Sequence, residues 1–181
     1  MTSSPAPRLV SPAVRFGASW SRSTWLLSAL FLLCGLAVWA FSYSGPPPTL
    51  IFYFTGVGLA LAAGWAFCFG PVGYRVDDAG IAIQRRAGEK RMPFSAIRSA
   101  RLMEPSELDR VTWRWPAVGG LFGFWGWFDT PALGRHLWYA SRDENLVLVQ
   151  ALQGPIVFSP DDPALFVREV NQRLRGPVRI S

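Results

Sequence analysis

Few residues in this 181-residue chain have the types and spacing that chemistry needs. His136 is the only histidine, and it sits between Arg135 and Leu137 in a stretch that reads as a strand. A nucleophilic Ser or Thr needs a base beside it, and His136 is the one natural candidate. A lone strand histidine is a structural residue before it is a catalytic one. Asp77-Asp78 and Asp161-Asp162 are paired acids, but the first pair reads as a turn and the second as a helix start. Gly119, Gly120, Gly123 and Gly126 do not make a phosphate loop, because no Lys-Ser/Thr follows and their neighbours are Phe and Trp. Cys34 and Cys68 lie in uncharged apolar sequence, and no His/Cys/Asp/Glu cluster has metal-ligand spacing. The expectation is no catalytic residue, no metal and no cofactor, hence no enzyme.

What the chain must position instead is hydrophobic. Half of it is apolar, 17% is charged, and Trp occurs nine times. Between Trp25 and Phe69 there is no Asp, Glu, Lys, Arg or His, and every acidic residue lies after position 76. A soluble protein rarely keeps so long a stretch uncharged, so a membrane segment followed by a water-soluble domain is predicted. The block divides at Ser42-Tyr-Ser-Gly-Pro-Pro-Pro-Thr49, a proline-rich turn. This predicts transmembrane helices over 24–43 and 49–69, joined by an extracytoplasmic turn at 44–48. Each has about 20 residues, and at ~1.5 Å per residue that just crosses ~30 Å of hydrocarbon. A secretory signal peptide is the competing reading for the first. Against it stand the long apolar run, the lack of a small-x-small cleavage site, and the second span that follows at once.

Trp20 and Trp25 at one end and Trp39 and Tyr43 at the other match interfacial aromatic belts, as do Tyr53 and Trp65. Arg8, Arg15 and Arg22 precede the apolar block, Arg75, Arg85, Arg86, Lys90 and Arg91 follow it, and the turn carries no cation. Both termini are therefore expected in the cytoplasm, with tails at 1–23 and 177–181. The net charge of +6 is explained by this topology, so nucleic acid is not an expected partner. Gly56, Ala60 and Gly64 form a small-residue stripe for close helix packing, against the first helix or against a second copy. Antiparallel helices put Cys34 near mid-bilayer and Cys68 near its cytoplasmic edge, about 10–15 Å apart in depth. Free thiols follow, because a disulfide needs Cα atoms within about 7 Å.

After Gly73 the pattern changes to short alternating stretches. Tyr74 to Asp77, Gly80 to Arg85, Arg91 to Phe94, Ala96 to Met103, Arg135 to Ala140, Asn145 to Leu152 and Pro155 to Phe158 read as seven strands with no helix between them. Ser159-Pro-Asp-Asp-Pro163 signals a helix start with Ser159 as cap, and Phe166, Val170 and Leu174 share one face of that helix. Gly176-Pro177 ends it. Seven strands and a closing amphipathic helix resemble the pleckstrin-homology (PH) architecture, a bent antiparallel barrel plugged by that helix. The run from Asn145-Leu-Val-Leu-Val through Gly154-Pro-Ile-Val-Phe-Ser-Pro-Asp-Asp-Pro-Ala-Leu-Phe-Val167 is similar to the end of bacterial PH-like domains. So are the glycine-aromatic stretch before Leu133-Gly-Arg135 and the preceding pair of membrane helices. The resemblance covers roughly residues 25 to 175 and implies a PH-like domain over 71–176 in a bacterial inner-membrane protein. It implies no particular ligand. Phosphoinositide-binding PH domains carry Lys and Arg in the first hairpin, where this chain has the acidic Arg75-Val-Asp-Asp-Ala79, so that activity is not carried over.

The stretch 105–134 reads as a long loop, too aromatic for disorder. Three readings compete for its rings, Trp113, Trp115, Phe122, Phe124, Trp125, Trp127 and Phe128. They cover an end of the barrel, with glycines permitting the tight backbone; they face the bilayer, flanked by Arg110, Arg114 and Arg135; or they meet another protein. Arg85, Arg86, Lys90 and Arg91 surround one hairpin tip, as a solvated turn or as contacts to anionic lipid. The role expected is a membrane-anchored binding or scaffolding module. Its partners are the bilayer and a further copy or another membrane protein. The alternatives are a peripheral lipid sensor and an accessory subunit of a membrane enzyme or transporter.

Overall fold

A computed structural model describes residues 12–41, 50–108 and 112–176, for 112–116 the backbone alone. The expected turn at 44–48, the tail at 177–181 and Arg110 lie outside the described residues, as do the side chains of Trp113, Arg114 and Trp115. The order is β1 (Val14–Gly17), α1 (Arg22–Phe41), α2 (Leu50–Phe69), β2 (Pro71–Asp77), β3 (Gly80–Arg85), β4 (Gly88–Pro93), β5 (Ile97–Leu102), β6 (Thr112–Gly119), β7 (Phe124–Thr130), β8 (Gly134–Ala140), β9 (Val147–Ala151), β10 (Gly154–Phe158) and α3 (Pro163–Leu174). Short 3₁₀ turns at Phe94–Ala96 and Pro105–Leu108 flank β5.

The described residues thus form ten strands, not seven, in two sheets that do not close into a barrel. One sheet runs β1-β2-β3-β4 and the other β5-β9-β10-β8-β7-β6. All pairs are antiparallel except β8 with β10, which are parallel because β10 lies between β9 and β8. The seven stretches legible as strands correspond to β2–β5 and β8–β10. The three additions are β1, in the stretch read as an N-terminal tail, and β6 and β7, in the stretch read as a loop. Each departure has a physical cause. β1 is only four residues long, and its partner β2 lies beyond both helices. β6 and β7 carry glycines and a bulge between Trp113 and Ala117, which interrupt the alternation that marks a strand.

The sheets face each other across one core. Phe16, Tyr74, Val76, Ile81 and Ile83 from the first meet Val147, Val149, Ile156 and Phe158 from the second. Phe166 and Val170 of α3 plug the open side, with the Phe16 ring edge-on to Phe166 at 5.1 Å. The helix cap is Asp162 rather than Ser159: its carboxylate accepts the Leu165 N–H at 2.9 Å, with Pro163 in the first turn. Ser159 turns inward instead and accepts the Ser141 N–H at 2.7 Å. Asn171 acts as one more ladder residue for the free edge of β5. Its Oδ1 accepts the Ala100 N–H and its Nδ2 donates to the Ala100 carbonyl. On its far face the six-stranded sheet carries a second cluster around Phe128, Trp138 and Leu148.

α1 and α2 pack side by side, and each is long and apolar enough to cross a membrane. Only 11% and 17% of their most apolar windows are buried, unlike core helices of a soluble domain. Leu33, Phe41, Leu50, Ile51, Phe54 and Leu61 are among the exposed apolar side chains. Of the small-residue stripe, only Gly56 meets α1, where a Cβ would stand 3.4 Å from Trp39 Cβ. Ala60 is exposed and Gly64 has open space around it. Steps of four residues rotate about 40° around a helix. Ala60 and Gly64 therefore turn away, while Ala63 and Ala66 hold the buried side. Cys34 and Cys68 are exposed free thiols.

Candidate functional site

The candidate site lies where the helical hairpin meets the sheets. Three segments of the domain grip it. The first is the β6–β7 tip. Gly120, at φ +86°, bends the chain so that its N–H reaches the Gly123 carbonyl at 3.0 Å, and a Cβ there would stand 2.7 Å from Leu27 Cδ1. Phe122 then points between the helices, its ring 5.3 Å from Phe67 and 5.7 Å from Trp20, in a cluster with Ala63 and Ala66. Its backbone N–H donates to Ser28 Oγ at 2.9 Å, the contact that explains a fully buried serine in an oily helix. Trp125 packs edge-on to Trp65 at 4.5 Å and against Phe69 at 5.8 Å. The contact climbs to Ala63, about 9 Å up α2 from Phe69.

The second grip is at the start of α1. Ser21 Oγ accepts the Thr24 N–H, and Thr24 Oγ1 donates to the Ser141 carbonyl at 3.2 Å. Ser141 Oγ donates to the Ser19 carbonyl at 2.8 Å. Asp161 completes the clasp: its Oδ1 accepts the Ser19 N–H, and its own N–H donates to the Gly17 carbonyl, each at 3.0 Å. The acids of Ser159-Pro-Asp-Asp thus divide their work. Asp162 starts α3 and Asp161 holds the lead-in to α1.

The third grip is the β3–β4 tip at the end of α2. Arg86 lies 3.8 Å over the Phe67 ring and 5.8 Å from Trp20, and its Nη1 donates to the Phe67 carbonyl at 3.2 Å. The Ala87 N–H donates to the Cys68 carbonyl at 2.9 Å, and Arg85 sits 5.6 Å over Phe69. A cation suits the carbonyl-rich end of a helix. The other two cations of this set point elsewhere. Lys90 Nζ donates to Tyr139 OH at 2.6 Å, and Arg91 pairs with Glu89 and, at 3.7 Å, with Asp77.

The aromatic stretch is divided as well. Phe122 and Trp125 face the helices, whereas Phe124 and Phe128 stack on Trp138 in the far cluster, at 5.7 and 5.1 Å. Trp127 lies beneath Arg135 at 4.4 Å. Sequence reasoning gave Ser28, Phe67 and Ser141 no role, read Trp20 as part of an interfacial belt and took Asp161 for part of a helix start. The one available signal was Thr24 and Ser28, polar residues four apart on one face of an apolar helix.

His136 is buried, and its Nδ1 lies 2.7 Å from the Gly134 carbonyl, which can only accept, so Nδ1 carries the hydrogen. Burial holds its pKa below the usual value, against the opposite pull of that carbonyl and of Asp129. Tyr74 is pushed up to about 12 by burial; its hydroxyl donates to the Tyr139 carbonyl at 2.6 Å and accepts the Ser159 N–H at 3.3 Å. Among the described residues, no group of three His, Cys, Asp or Glu could hold a metal ion. A family model described as a bacterial PH domain matches residues 72–174. No curated protein and no solved structure matches the chain.

Proposed function

Since this chain belongs to the bacterial PH domain family, we propose that it is a binding or scaffolding module held on the cytoplasmic face of a bacterial membrane by α1 and α2. The observation that carries this reading is the pairing of β1 with β2. Val14 lies opposite Val76 and Gly17 opposite Gly73, so the chain leaves the first sheet, runs through both apolar helices and returns to the adjacent strand. Strands bonded to each other lie on one side of a bilayer, and two crossings between them satisfy that condition. The arginine-rich flanks and the cation-free turn orient that side to the cytoplasm. The domain then stands against the membrane on three contacts rather than on a flexible tether. The β6–β7 tip reaches about 9 Å along α2 from Phe69, slightly more than the roughly 5–7 Å headgroup layer on one side of a bilayer.

Reporter fusions test this. A cytoplasm-active reporter at the C-terminus and a periplasm-active one near residue 45 should both be active, and alkaline carbonate should leave the protein in the membrane. Activity of the same reporter type at both positions, or extraction by carbonate, would refute the reading.

A further inference from the structure

Arg85 and Arg86 differ from most of the arginines around them. Arg75, Arg91, Arg101, Arg142 and Arg173 each have a carboxylate within ion-pair distance. Arg85 and Arg86 are bonded to carbonyls and stacked on rings instead. A guanidinium has five N–H donors. The Phe67 carbonyl takes one from Arg86 and the Gly88 carbonyl one from Arg85, which leaves a fork of donors on each. The Phe67 and Trp20 rings hold the Arg86 plane in position, so little of its side-chain freedom remains to be lost when an anion arrives. Both cations stand at the last turn of α2, Arg85 over Phe69 and Arg86 beside the Trp20 ring that also contacts Phe122.

We propose that Arg85 and Arg86 form a binding site for the phosphate of an anionic phospholipid in the leaflet that faces the domain. This rests on the membrane-spanning reading of α1 and α2. The position selects the occupant: the phosphates of a bilayer lie just outside the hydrocarbon, the level at which a span of about 30 Å ends. A lipid bound there bridges the β3–β4 tip and the helix end, and so strengthens the grip of the domain on its own anchor. Lys90 and Arg91 carry the same charge a few residues away but are held by Tyr139, Glu89 and Asp77, and they take no part.

The test uses the full chain in nanodiscs of phosphatidylcholine with a minor fraction of phosphatidylglycerol. Lipid that stays with the protein through gentle detergent extraction is counted by mass spectrometry. Wild type should retain phosphatidylglycerol above its bulk fraction. Loss of one cation near the surface lowers anionic-lipid affinity about fivefold, so Arg85→Gln with Arg86→Gln should lower it roughly 30-fold. Lys90→Gln with Arg91→Gln should leave it unchanged, and Arg86→Lys, which keeps the charge but loses the planar donor fork, should fall between wild type and Arg86→Gln. Equal retention by the Arg85/Arg86 variant and wild type would overturn the site. So would an equal loss from the Lys90/Arg91 variant, which would make the effect one of net charge. A wild-type chain that stays in phosphatidylcholine vesicles after carbonate but shows no lipid preference refutes this site alone. One that carbonate removes refutes the anchor itself.

Discussion

Phe122→Ala is the sharpest test of the docked tip. The ring is buried between both helices. An aromatic side chain hides about 150–250 Å², worth roughly 4–6 kcal/mol at ~25 cal/mol per Å². Phe→Ala substitutions in cores cost about 3–5 kcal/mol. On the membrane-anchored reading an undocked ring would meet the headgroup boundary rather than water, which favours the lower end, about 3 kcal/mol or roughly 100-fold in the docking equilibrium. Amide hydrogen exchange in nanodiscs reads this out. Protection at residues 118–123 should fall by about that factor while β9 amides keep theirs. The backbone adds a second handle, because Phe122 sits at φ 55°, a region that costs an L-residue about 1–2 kcal/mol. Alanine bears the same cost and glycine does not, so Phe122→Gly should be about fivefold better protected than Phe122→Ala. Unchanged protection in the alanine variant, or a glycine variant weaker than alanine, would refute the reasoning.

Gly70→Ala should loosen the same tip, since a Cβ there would stand 2.6 Å from the Phe122 carbonyl oxygen; exchange at 118–123 checks it. Ser28→Ala strands the buried Phe122 N–H and should lower protection locally by about 1–3 kcal/mol, without releasing the chain from vesicles. Tyr74→Phe leaves the Tyr139 carbonyl and the Ser159 N–H without their shared partner, at a cost of about 1–3 kcal/mol by denaturant unfolding. Stability should decline in two stages as pH falls. His136 is held neutral by burial, so below about pH 6.5 the unfolded chain takes up a proton that the folded one resists; His136→Gln should remove this stage. Glu107, lowered to about 2 by hydrogen bonds from Arg101, loses its contribution between about pH 4.5 and 2.

What could be read from the sequence follows the range of the interactions. The apolar helices, the amphipathic face of α3 and most of the domain strands are written in local pattern and were legible. The cap of α3 is Asp162 and not Ser159, because Ser159 answers to Ser141 across the fold. β1 was invisible for the same reason: nothing near Val14 shows that its partner is Val76. The glycines of β6 and β7 suggested a loop, yet at the tip they permit a hairpin to meet Leu27. Strand alternation also parts residues that are neighbours in sequence, which is why Trp125 and Phe124 belong to different faces and why Lys90 reaches Tyr139 while Arg91 pairs with Glu89.

The joining of β1 to β2 has a temporal side. β1 leaves the ribosome before either helix, and its hydrogen-bonding partner is translated only after both. Its edge therefore waits for β2 while both apolar segments are made and, on the membrane-anchored reading, handed to the bilayer. The first sheet can be completed only after both helices have been synthesised, so on the membrane-anchored reading its closure follows the delivery of both segments.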